Sequence, residues 1–425
     1  MERSAPEYVV ALEMGSSGVR CLIAEVTPEH ALKVVGVGEQ PSTGFERGEI
    51  SDLARATEDV RAAIRAAESR AALEVETLFA GVGSCQMRAF NSRGCVPITH
   101  ENRLIGAADR NKALKAAESV FLPADRRVLC AIPQRFFLDH VSPVVNPIGM
   151  TASQLEAEVH LVTDTAAMLD NVIRCIQDSG CKLECSGLKA QPEGLLFQPV
   201  CAAQAVLTED ERQLGVLFID FGSRSTDVVF YCGGVPRYSQ IFPVGSNHIT
   251  NDIALGLNLS LREAERVKTT LASATVHAVP REHLDETFDA GLMDAERVGR
   301  FTVRNLDEIV EFRVEDTFSL IRRGLERAGL EEYPRAGVVL TGSGAKLRGI
   351  VDKAREFFCC PARLGLAHVL SECEGVSGNA AFSAVIGLLQ EGLRRRRENR
   401  LQPRRPLGLL GRSVVRFGHW VRSTF

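Results

Sequence analysis

The chain repeats one plan of strands and a helix in its two halves, and this repetition limits the possible folds more than any other feature of the sequence. In the first half, apolar and β-branched runs predict strands and a helix over 8–12, 19–26, 32–39, from 56, and 78–82. In the second half, the corresponding runs lie over 214–220, 226–231, 237–244, from about 247, and 338–340. Two βββαβ halves indicate an α/β protein whose two lobes face each other across a cleft.

Both halves place an acidic residue and a Gly-Ser turn at the end of their first strand. These turns are Glu13-Met14-Gly15-Ser16, followed by Arg20, and Asp220-Phe221-Gly222-Ser223. Small residues let backbone N–H groups approach phosphate oxygens, a flanking carboxylate can hold Mg²⁺ through water, and an arginine supplies counter-charge. One such hairpin is an ordinary turn in most proteins. The phosphate-loop interpretation therefore depends on both halves and on a third small-residue turn, Thr341-Gly342-Ser343-Gly344.

Composition indicates a soluble globular protein with more than one domain. The chain has 425 residues, 45% of them hydrophobic and 24% charged. We find neither a run of eighteen apolar residues nor a leader-like segment, and so expect a protein that is neither secreted nor membrane-spanning. The twelve cysteines show no C-x-x-C spacing, which suggests reduced thiols in a cytosolic protein. His140, His160 and His248 have no companions at metal spacing and are interpreted as structural.

The C-terminal segment is strongly basic. From Gly392 onward there are ten arginines and one glutamate, a formal charge of +9 against −4 for the whole chain. We predict a flexible linker over 394–406 and a membrane-targeting amphipathic helix over 407–425. The residues predicted to contact anionic lipid are Leu410, Arg412, Val414, Arg416, Phe417, Trp420, Val421, Arg422 and Phe425.

Two other interpretations of this tail stay open. An amphipathic helix commonly docks on its own globule, but the linker rich in arginine and proline argues against that here. Nucleic acid is another anionic partner, which we do not expect, because the tail has no aromatic platform on which bases could stack.

The three loops, with blocks such as Ile132–Phe136 and Pro243–Ile253, resemble the actin and heat-shock-chaperone ATPase superfamily, and within it the FtsA family of bacterial cell-division proteins. The resemblance covers nearly the whole chain. It implies an actin-like fold, with two ribonuclease-H-like lobes around a nucleotide cleft, an inserted subdomain 1C and a C-terminal amphipathic helix. The implied boundaries are 1–84, 164–206 and 367–393 for subdomain 1A, 85–163 for 1C, 207–245 and 336–366 for 2A, and 246–335 for 2B.

The resemblance also implies ATP and Mg²⁺ as ligands. Mg²⁺ would be held through water by Glu13 and Asp220. The implied nucleotide-binding residues are Glu13, Gly15, Ser16, Ser17, Arg20, Asp220, Gly222, Ser223, Arg224, Ser225, Asp227, Glu265, Lys268, Gly342, Ser343 and Gly344. No catalytic residue is assigned, and the expected activity is at most that of a weak ATPase.

The second loop departs from the family pattern D-x-G-G-G-T-x-D, because Ser223 and Arg224 follow Gly222. Ser343 likewise stands where the adenine-side turn usually has glycine. Two interpretations of Arg224 stay open: its guanidinium clamps a phosphate, or it points to solvent in a cleft that has lost nucleotide. We expect binding to be retained, although these departures would weaken it.

The function implied by the resemblance is that of a cell-division adaptor. Such a protein polymerises on the cytoplasmic face of the membrane at the septum, tethers the FtsZ ring and recruits other division proteins through subdomain 1C. The C-terminal peptide of FtsZ would contact subdomain 2B near Arg300 and Arg304, although a solvated basic face is the commoner role for such residues. Alternatives are a pilus-assembly scaffold like PilM, which the amphipathic tail disfavours, and a small-molecule kinase or phosphatase, which would need a catalytic base that we do not find near the loops.

Overall fold

The computed structural model describes residues 6–28, 31–141, 143–184, 194–276, 281–292, 298–330, 334–368, 373 and 375–401. The first lobe begins with β1 (Glu7–Met14), β2 (Gly18–Val26), β3 (Leu32–Pro41), the hairpin β4 (Phe45–Glu46) and β5 (Glu49–Ile50), α1 (Leu53–Ala71) and β6 (Thr77–Val82). Helix α1 lies close on β3, because a Cβ at Gly38 would stand 1.9 Å from the carbonyl oxygen of Ala63. These glycine and alanine positions set the distance between helix and sheet.

The insertion forms a second, antiparallel sheet. Its elements are β7 (Arg88–Pro97), α2 (Ala107–Glu118), β8 (Arg126–Leu138), β9 (Pro143–Val144) and β10 (Gln154–Thr165). The strand order is β7-β10-β8-β9. A separate apolar core, including Ile105, Ala113, Phe136 and Leu155, lies between this sheet and α2. The insertion is therefore a packed subdomain and not an extended loop.

The chain then completes the first lobe and builds the second. The first lobe gains α3 (Ala166–Asp178), β11 (Lys182–Leu183), β12 (Leu195–Phe197) and α4 (Gln198–Val206). The second lobe consists of α5 (Glu209–Leu214), β13 (Val216–Phe221), β14 (Thr226–Cys232), β15 (Val235–Phe242), α6 (Ser246–Gly256), α7 (Leu261–Thr270), α8 (Arg281–Leu284), β16 (Thr287–Gly291), β17 (Val298–Thr302), α9 (Val303–Arg327), β18 (Gly337–Thr341), α10 (Ile350–Phe358) and β19 (Ala362–Leu364). Helix α11 (Ser383–Leu401) returns to the first lobe and packs on α4 and β1.

The two lobes share one sheet topology, as the repeated plan predicts. In the first lobe the strand order is β11-β6-β1-β2-β3, with β1 antiparallel to β2 and parallel to β6. In the second lobe the order is β15-β14-β13-β18-β19, with β13 antiparallel to β14 and parallel to β18. The predicted α/β fold, with two similar lobes and an inserted subdomain, is confirmed. The strand expected from Leu214 begins instead at Val216, because Thr208 caps a short helix that ends at Leu214.

The linker predicted over 394–406 is wrong for residues 394–401, because α11 continues to Leu401. The arginine run has carboxylate partners that stabilise a helix. Arg394 and Arg395 donate to the buried Glu391 at 2.7 and 2.9 Å, and Arg396 donates to Glu184 at 2.8 Å. The two bonds to Glu391 stabilise the helix itself, and the bond to Glu184 holds it on the first lobe.

The predicted lipid-contact residues lie outside the described residues. They are Leu410, Arg412, Val414, Arg416, Phe417, Trp420, Val421, Arg422 and Phe425. Among the helices that the structure does describe, we find none with the length and apolarity needed to cross a bilayer.

Candidate nucleotide cleft

Two glycine turns face each other from the ends of β1 and β13. The N–H of Gly15 donates to the carbonyl oxygen of Gly18 at 3.1 Å, and the N–H of Gly222 donates to that of Ser225 at 3.0 Å. A Cβ at Gly222 would stand 2.8 Å from the Ser225 oxygen, so this turn has no room for a side chain at Gly222. Each lobe thus contributes one tight loop to the cleft between them.

Most of the predicted nucleotide-binding residues line a single cavity between the lobes. The lining residues are Glu13, Gly15, Ser16, Ser17, Arg20, Gln198, Asp220, Gly222, Ser223, Arg224, Ser225, Asp227, Gly342, Ser343 and Ala381. Three predicted residues do not line it, namely Glu265, Lys268 and Gly344. The structure therefore brings both phosphate loops and part of the third turn to one place.

Three carboxylates meet in this cavity. Glu13 is the last residue but one of β1, and Asp220 on β13 is paired in register with Asp227 on β14. Burial raises the pKa of Glu13, and burial with the nearby charge of Glu13 raises the pKa of Asp220 to about 7. Burial and the charge of Asp220 also raise the pKa of Asp227 well above its ordinary range. The protein alone leaves this cluster short of positive charge, so a bound cation would be stabilised here.

Arg20 offsets only part of this negative charge. Its Nη1 lies 3.4 Å from Oε1 of Glu13, its Nε lies 2.9 Å from Oε1 of Glu39, and its guanidinium lies 5.3 Å from the ring centroid of Phe382. The side chain is only 9% exposed. Arg20 is thus held in place within the first lobe, on the wall of the cleft.

The residues present fit a hydrated Mg²⁺ with a nucleotide. Oε2 of Glu13 is buried and accepts no hydrogen bond within the described part of the chain. Gly342 has a φ of 90°, and a Cβ there would stand 2.2 Å from Oδ1 of Asp220, so the third turn packs against this carboxylate. Mg²⁺ usually keeps several waters and takes one or two carboxylates with phosphate oxygens.

The small residues of the third turn have two different surroundings. Ser343 lines the cavity, where the family pattern has glycine. Gly344 instead packs on β13, because a Cβ there would stand 2.7 Å from Cδ1 of Phe221. Thr341 is buried, and its hydroxyl oxygen lies 2.8 Å from that of Ser383 in α11. The turn therefore links the second lobe to the last helix of the first.

Glu265 and Lys268 form a pair beside α6, away from the phosphate cavity. Nζ of Lys268 lies 2.6 Å from Oε2 of Glu265 and 2.9 Å from Oγ1 of Thr250. Lys268 is buried and Glu265 is exposed. Their predicted contacts to ribose and adenine stay a prediction.

Sequence reasoning missed three residues at the cleft. Gln198 and Ala381 line the cavity, and Glu46 lies at its edge, with Oε1 3.7 Å from Nη1 of Arg224. Gln198 had a signal, since it opens a helix just before a proline, directly after strand β12. Glu46 had none, because its hairpin is too short to show periodicity. The side chain of Arg224 lines the cleft and is also 40% exposed to solvent. Its position therefore shares features with both interpretations, a phosphate clamp and a solvent-facing arginine.

A separate groove lies between α6 and α9, in the segment that the resemblance assigns to subdomain 2B. It is lined by Asp252, Gly256, Leu257, Phe301, Asn305, Glu308, Ile309, Phe312 and Arg313. Phe312 is 71% exposed. Arg300 and Arg304 do not line the groove; they pair with Asp289 and Asp285 at 3.1 and 3.0 Å, while their neighbours Phe301 and Asn305 line it.

Solved structures with this fold include actin-like proteins. The chain aligns with a protein of the "PilM-PilN type IV pilus biogenesis complex" with a TM-score of 0.64 and 15% identity, over 91% of this chain and 98% of that one. It aligns with MreB5 of Spiroplasma citri bound to AMPPNP with a TM-score of 0.55 and 12% identity, over 94% and 100%. At these identities the likeness shows the actin-like fold alone.

Sequence comparison is more specific. A family model described as "Cell division protein FtsA" matches residues 217–387, and one described as "SHS2 domain inserted in FTSA" matches residues 85–163. The FtsA proteins of Pseudomonas aeruginosa and Neisseria meningitidis are 32% and 30% identical to this chain, over 92% and 98% of it and 90% and 99% of their own lengths. That of Escherichia coli K12 is 28% identical over 99% of this chain and 98% of its own. With the inserted subdomain and both cleft loops in place, the chain belongs to the FtsA family of cell-division proteins.

Proposed function

We propose that this protein is an ATP-binding adaptor that assembles into filaments on the cytoplasmic face of the membrane at the division septum and tethers FtsZ there. The observation that carries the nucleotide part is the group of Glu13, Asp220 and Asp227 in the cavity, contributed by both lobes, with Oε2 of Glu13 left without a hydrogen-bond partner among the described residues. The MreB5 protein of similar fold was solved with a nucleotide analogue, which agrees with this use of the cleft.

In this proposal each part of the cleft has a defined task. The N–H groups that follow Gly15 and Gly222 in the two turns bind phosphate oxygens, since those of Gly15 and Gly222 themselves donate within the turns. Glu13 and Asp220 hold the waters of Mg²⁺. When bound, Mg²⁺ neutralises phosphate charge that the carboxylates would otherwise repel. The proposal requires binding and not turnover, and no residue is assigned to hydrolysis.

In this proposal, a ligand that contacts both lobes promotes filament assembly. Such a ligand favours the arrangement in which the two loops are close, by the difference in its affinity for the closed and open states. Surfaces on the two lobes, and on the inserted subdomain, would then be held in one relative orientation. A second copy of the chain or another division protein could bind that arrangement more tightly than the open one.

The groove in 2B supports the FtsZ part of the proposal. Phe301, Ile309 and Phe312 offer an apolar surface between helices, which suits a short peptide that folds on binding. Arg313 forms a bidentate pair with Asp252 and a 2.9 Å contact with Asp316, so its guanidinium is already compensated. Arg300 and Arg304 lie beside the groove, where exposed charges act more on the association rate and on specificity than on affinity.

The basic tail supports the membrane part. Residues 402–425 carry arginines among apolar and aromatic residues, the composition of helices that lie in a bilayer interface. A monomer would bind weakly, and several copies in one filament would bind firmly through avidity. Pelleting with anionic vesicles should be lost in a chain that ends at Pro406. Undiminished pelleting of that shortened chain would contradict the membrane part.

Equilibrium binding of Mg-ATP to the purified chain tests the nucleotide part. We expect a Kd in the micromolar range or tighter for the wild type, and a large loss for Glu13→Gln. Glu58→Gln is a matched control, since Glu58 is 65% exposed on α1 and pairs only with Arg61 among the ion pairs of the described chain. Absence of wild-type binding up to millimolar ATP would leave a scaffold that works without nucleotide.

A further inference from the structure

An ion pair joins the two lobes across the mouth of the cleft. Nη1 of Arg224, in the second phosphate loop, lies 3.7 Å from Oε1 of Glu46, in the β4–β5 hairpin of the first lobe. The two side chains are 40% and 54% exposed. A long, exposed pair of this kind has a small net free energy, so either partner can be exchanged for a stronger ligand.

The backbone on both sides of this pair is fixed. In the second loop, the carbonyl oxygen of Ser223 accepts from the N–H of Asn247 at 2.8 Å, and a Cβ at Gly245 would stand 2.7 Å from the same oxygen. In the hairpin, the N–H of Gly48 donates to Oγ of Ser16 at 3.1 Å. Rotation of the Arg224 side chain is therefore the movement available without rearranging either loop.

The charges in the cleft give Arg224 a reason to move. The cavity lining contains the carboxylates of Glu13, Asp220 and Asp227 and, as described cations, only Arg20 and Arg224. Arg20 is buried between Glu13 and Glu39, with a 2.9 Å bond to the latter. Of the two, Arg224 is the cation with the longer, weaker contact, and it stands at the loop that faces the first phosphate turn.

We propose that Arg224 exchanges Glu46 for the terminal phosphate of a bound nucleoside triphosphate, and that this exchange makes the cleft favour triphosphate over diphosphate. A guanidinium forms charge-assisted bonds to a phosphate that are shorter and stronger than its contact with Glu46. Nucleotide without the terminal phosphate leaves the Arg224–Glu46 pair in place. This inference rests on the proposed nucleotide binding. In it, Arg224 distinguishes a nucleoside triphosphate from a diphosphate.

The test compares Kd values for Mg-ATP and Mg-ADP in the full chain and in three variants. We expect Arg224→Gln to weaken ATP binding about tenfold and to change ADP binding less than about twofold. We expect Glu46→Gln to strengthen ATP binding severalfold, because the competitor for the guanidinium is removed. In the double variant the Glu46→Gln effect should disappear, since it acts through Arg224.

Arg47→Gln is the matched control, because Arg47 is an exposed arginine in the same hairpin and does not line the cavity. It should leave the ratio of the two Kd values unchanged. Tighter ATP binding by Arg224→Gln, or an equal loss for ATP and ADP, would overturn the inference and leave nucleotide binding intact. Failure of the wild type to bind either nucleotide would remove the nucleotide part of the proposed function, and the inference with it. The opposite signs expected for the Arg224 and Glu46 variants keep the test decisive if one of them folds poorly.

Discussion

Nε2 of His160 lies 2.8 Å from Oγ of Ser239, and this contact joins the inserted subdomain to β15, the edge strand of the second lobe. Nδ1 of the same ring lies 2.7 Å from Oδ1 of Asn91. Asn91 in turn donates to the carbonyl oxygen of Arg237 at 3.0 Å, and Gln134 donates to that of Pro236. We call this group of contacts the β15 joint. The joint covers an edge strand of the sheet, and its side chains donate hydrogen bonds to backbone carbonyl oxygens of that strand.

The β15 joint makes stability sensitive to acid. Burial, with the nearby charge of Arg237, lowers the pKa of His160 to about 4. The unfolded chain, with an ordinary histidine pKa near 6.5, therefore binds more protons between these values, and the free energy of unfolding falls as the pH falls through that window. At pH 5 the contribution from His160 alone is a loss of about 2 kcal/mol.

Urea unfolding at pH 7 and pH 5 measures this contribution. His160→Gln should be less stable than the wild type at pH 7 and should lose less stability on going to pH 5. Comparing the two proteins is necessary because Asp220, whose pKa is raised to about 7, acts in the opposite direction over the same range. Equal losses in the two proteins would show that His160 does not carry the effect.

Glu158 holds a cluster of arginines from both sides of the joint. It contacts Arg93 and Arg135 of the inserted subdomain at 3.1 and 2.7 Å, and Arg237 of the second lobe at 2.9 Å. Although burial acts to raise it, hydrogen bonds from Arg135 and Arg237 bring the pKa of Glu158 down to about 2. Glu158→Gln should reduce the free energy of unfolding by about 2 kcal/mol, because it removes the charge of the buried carboxylate that three partly exposed arginines share.

The control for this variant lies two residues away on the same strand. Glu156 contacts Arg93 and His140, which both belong to the inserted subdomain. Among the described ion pairs, it has none with the second lobe. Glu156→Gln should cost about 1 kcal/mol or less. If chemical denaturation gave the two variants equal stabilities, Glu158 would not be holding the joint.

Asp220→Asn should change stability and ligand binding in opposite directions. Removing one of three neighbouring carboxylates relieves repulsion, so we expect the nucleotide-free variant to melt at a higher temperature than the wild type. The same change removes a carboxylate that would hold the hydrated Mg²⁺. The affinity for Mg-ATP should therefore fall by about tenfold or more, the loss expected when one charge-assisted contact is removed. Asp352→Asn, on the exposed side of α10, should change neither quantity. A lower melting temperature for Asp220→Asn would mean that the carboxylate stabilises the free protein.

Gly342→Ala should disrupt the third turn through its contact with Asp220. At a φ of 90°, an added Cβ would stand 2.2 Å from Oδ1 of Asp220. Gly329 has a φ of 68°, and a Cβ added there would meet no atom of the described residues within 4 Å, so Gly329→Ala isolates the backbone strain. We expect about 1–2 kcal/mol for Gly329→Ala from thermal unfolding. Gly342→Ala should cost more and should weaken ATP binding as well; equal costs would show that the turn relaxes without moving the carboxylate.

The strands, the lobes and the small-residue loops are predictable because their signals are local. Apolar runs end at acidic residues and glycines, and the same order recurs in the second half of the chain. The β15 joint is not predictable, because His160 and Ser239 are far apart in the chain. The alternation of Gln154, Glu156, Glu158 and His160 marks one face of β10, but no local signal shows that Ser239 lies against it. The pairing of Glu46 with Arg224 is hidden for the same reason. Composition predicts a linker for the arginine run, whereas its helix depends on Glu391 and on Glu184 of a distant segment.

The course of α11 determines which end of the first lobe carries the tail. Arg396 donates to the carbonyl oxygen of Tyr8, near the start of β1, whereas the first phosphate turn follows Met14 at the other end of that strand. At about 3.3 Å per residue, the two ends are roughly 20 Å apart. With the tail on a lipid surface, as proposed, the end of this lobe at the start of β1 would lie nearest the headgroups. The cleft would then open toward the cell interior, where nucleotide could exchange while the protein stays attached.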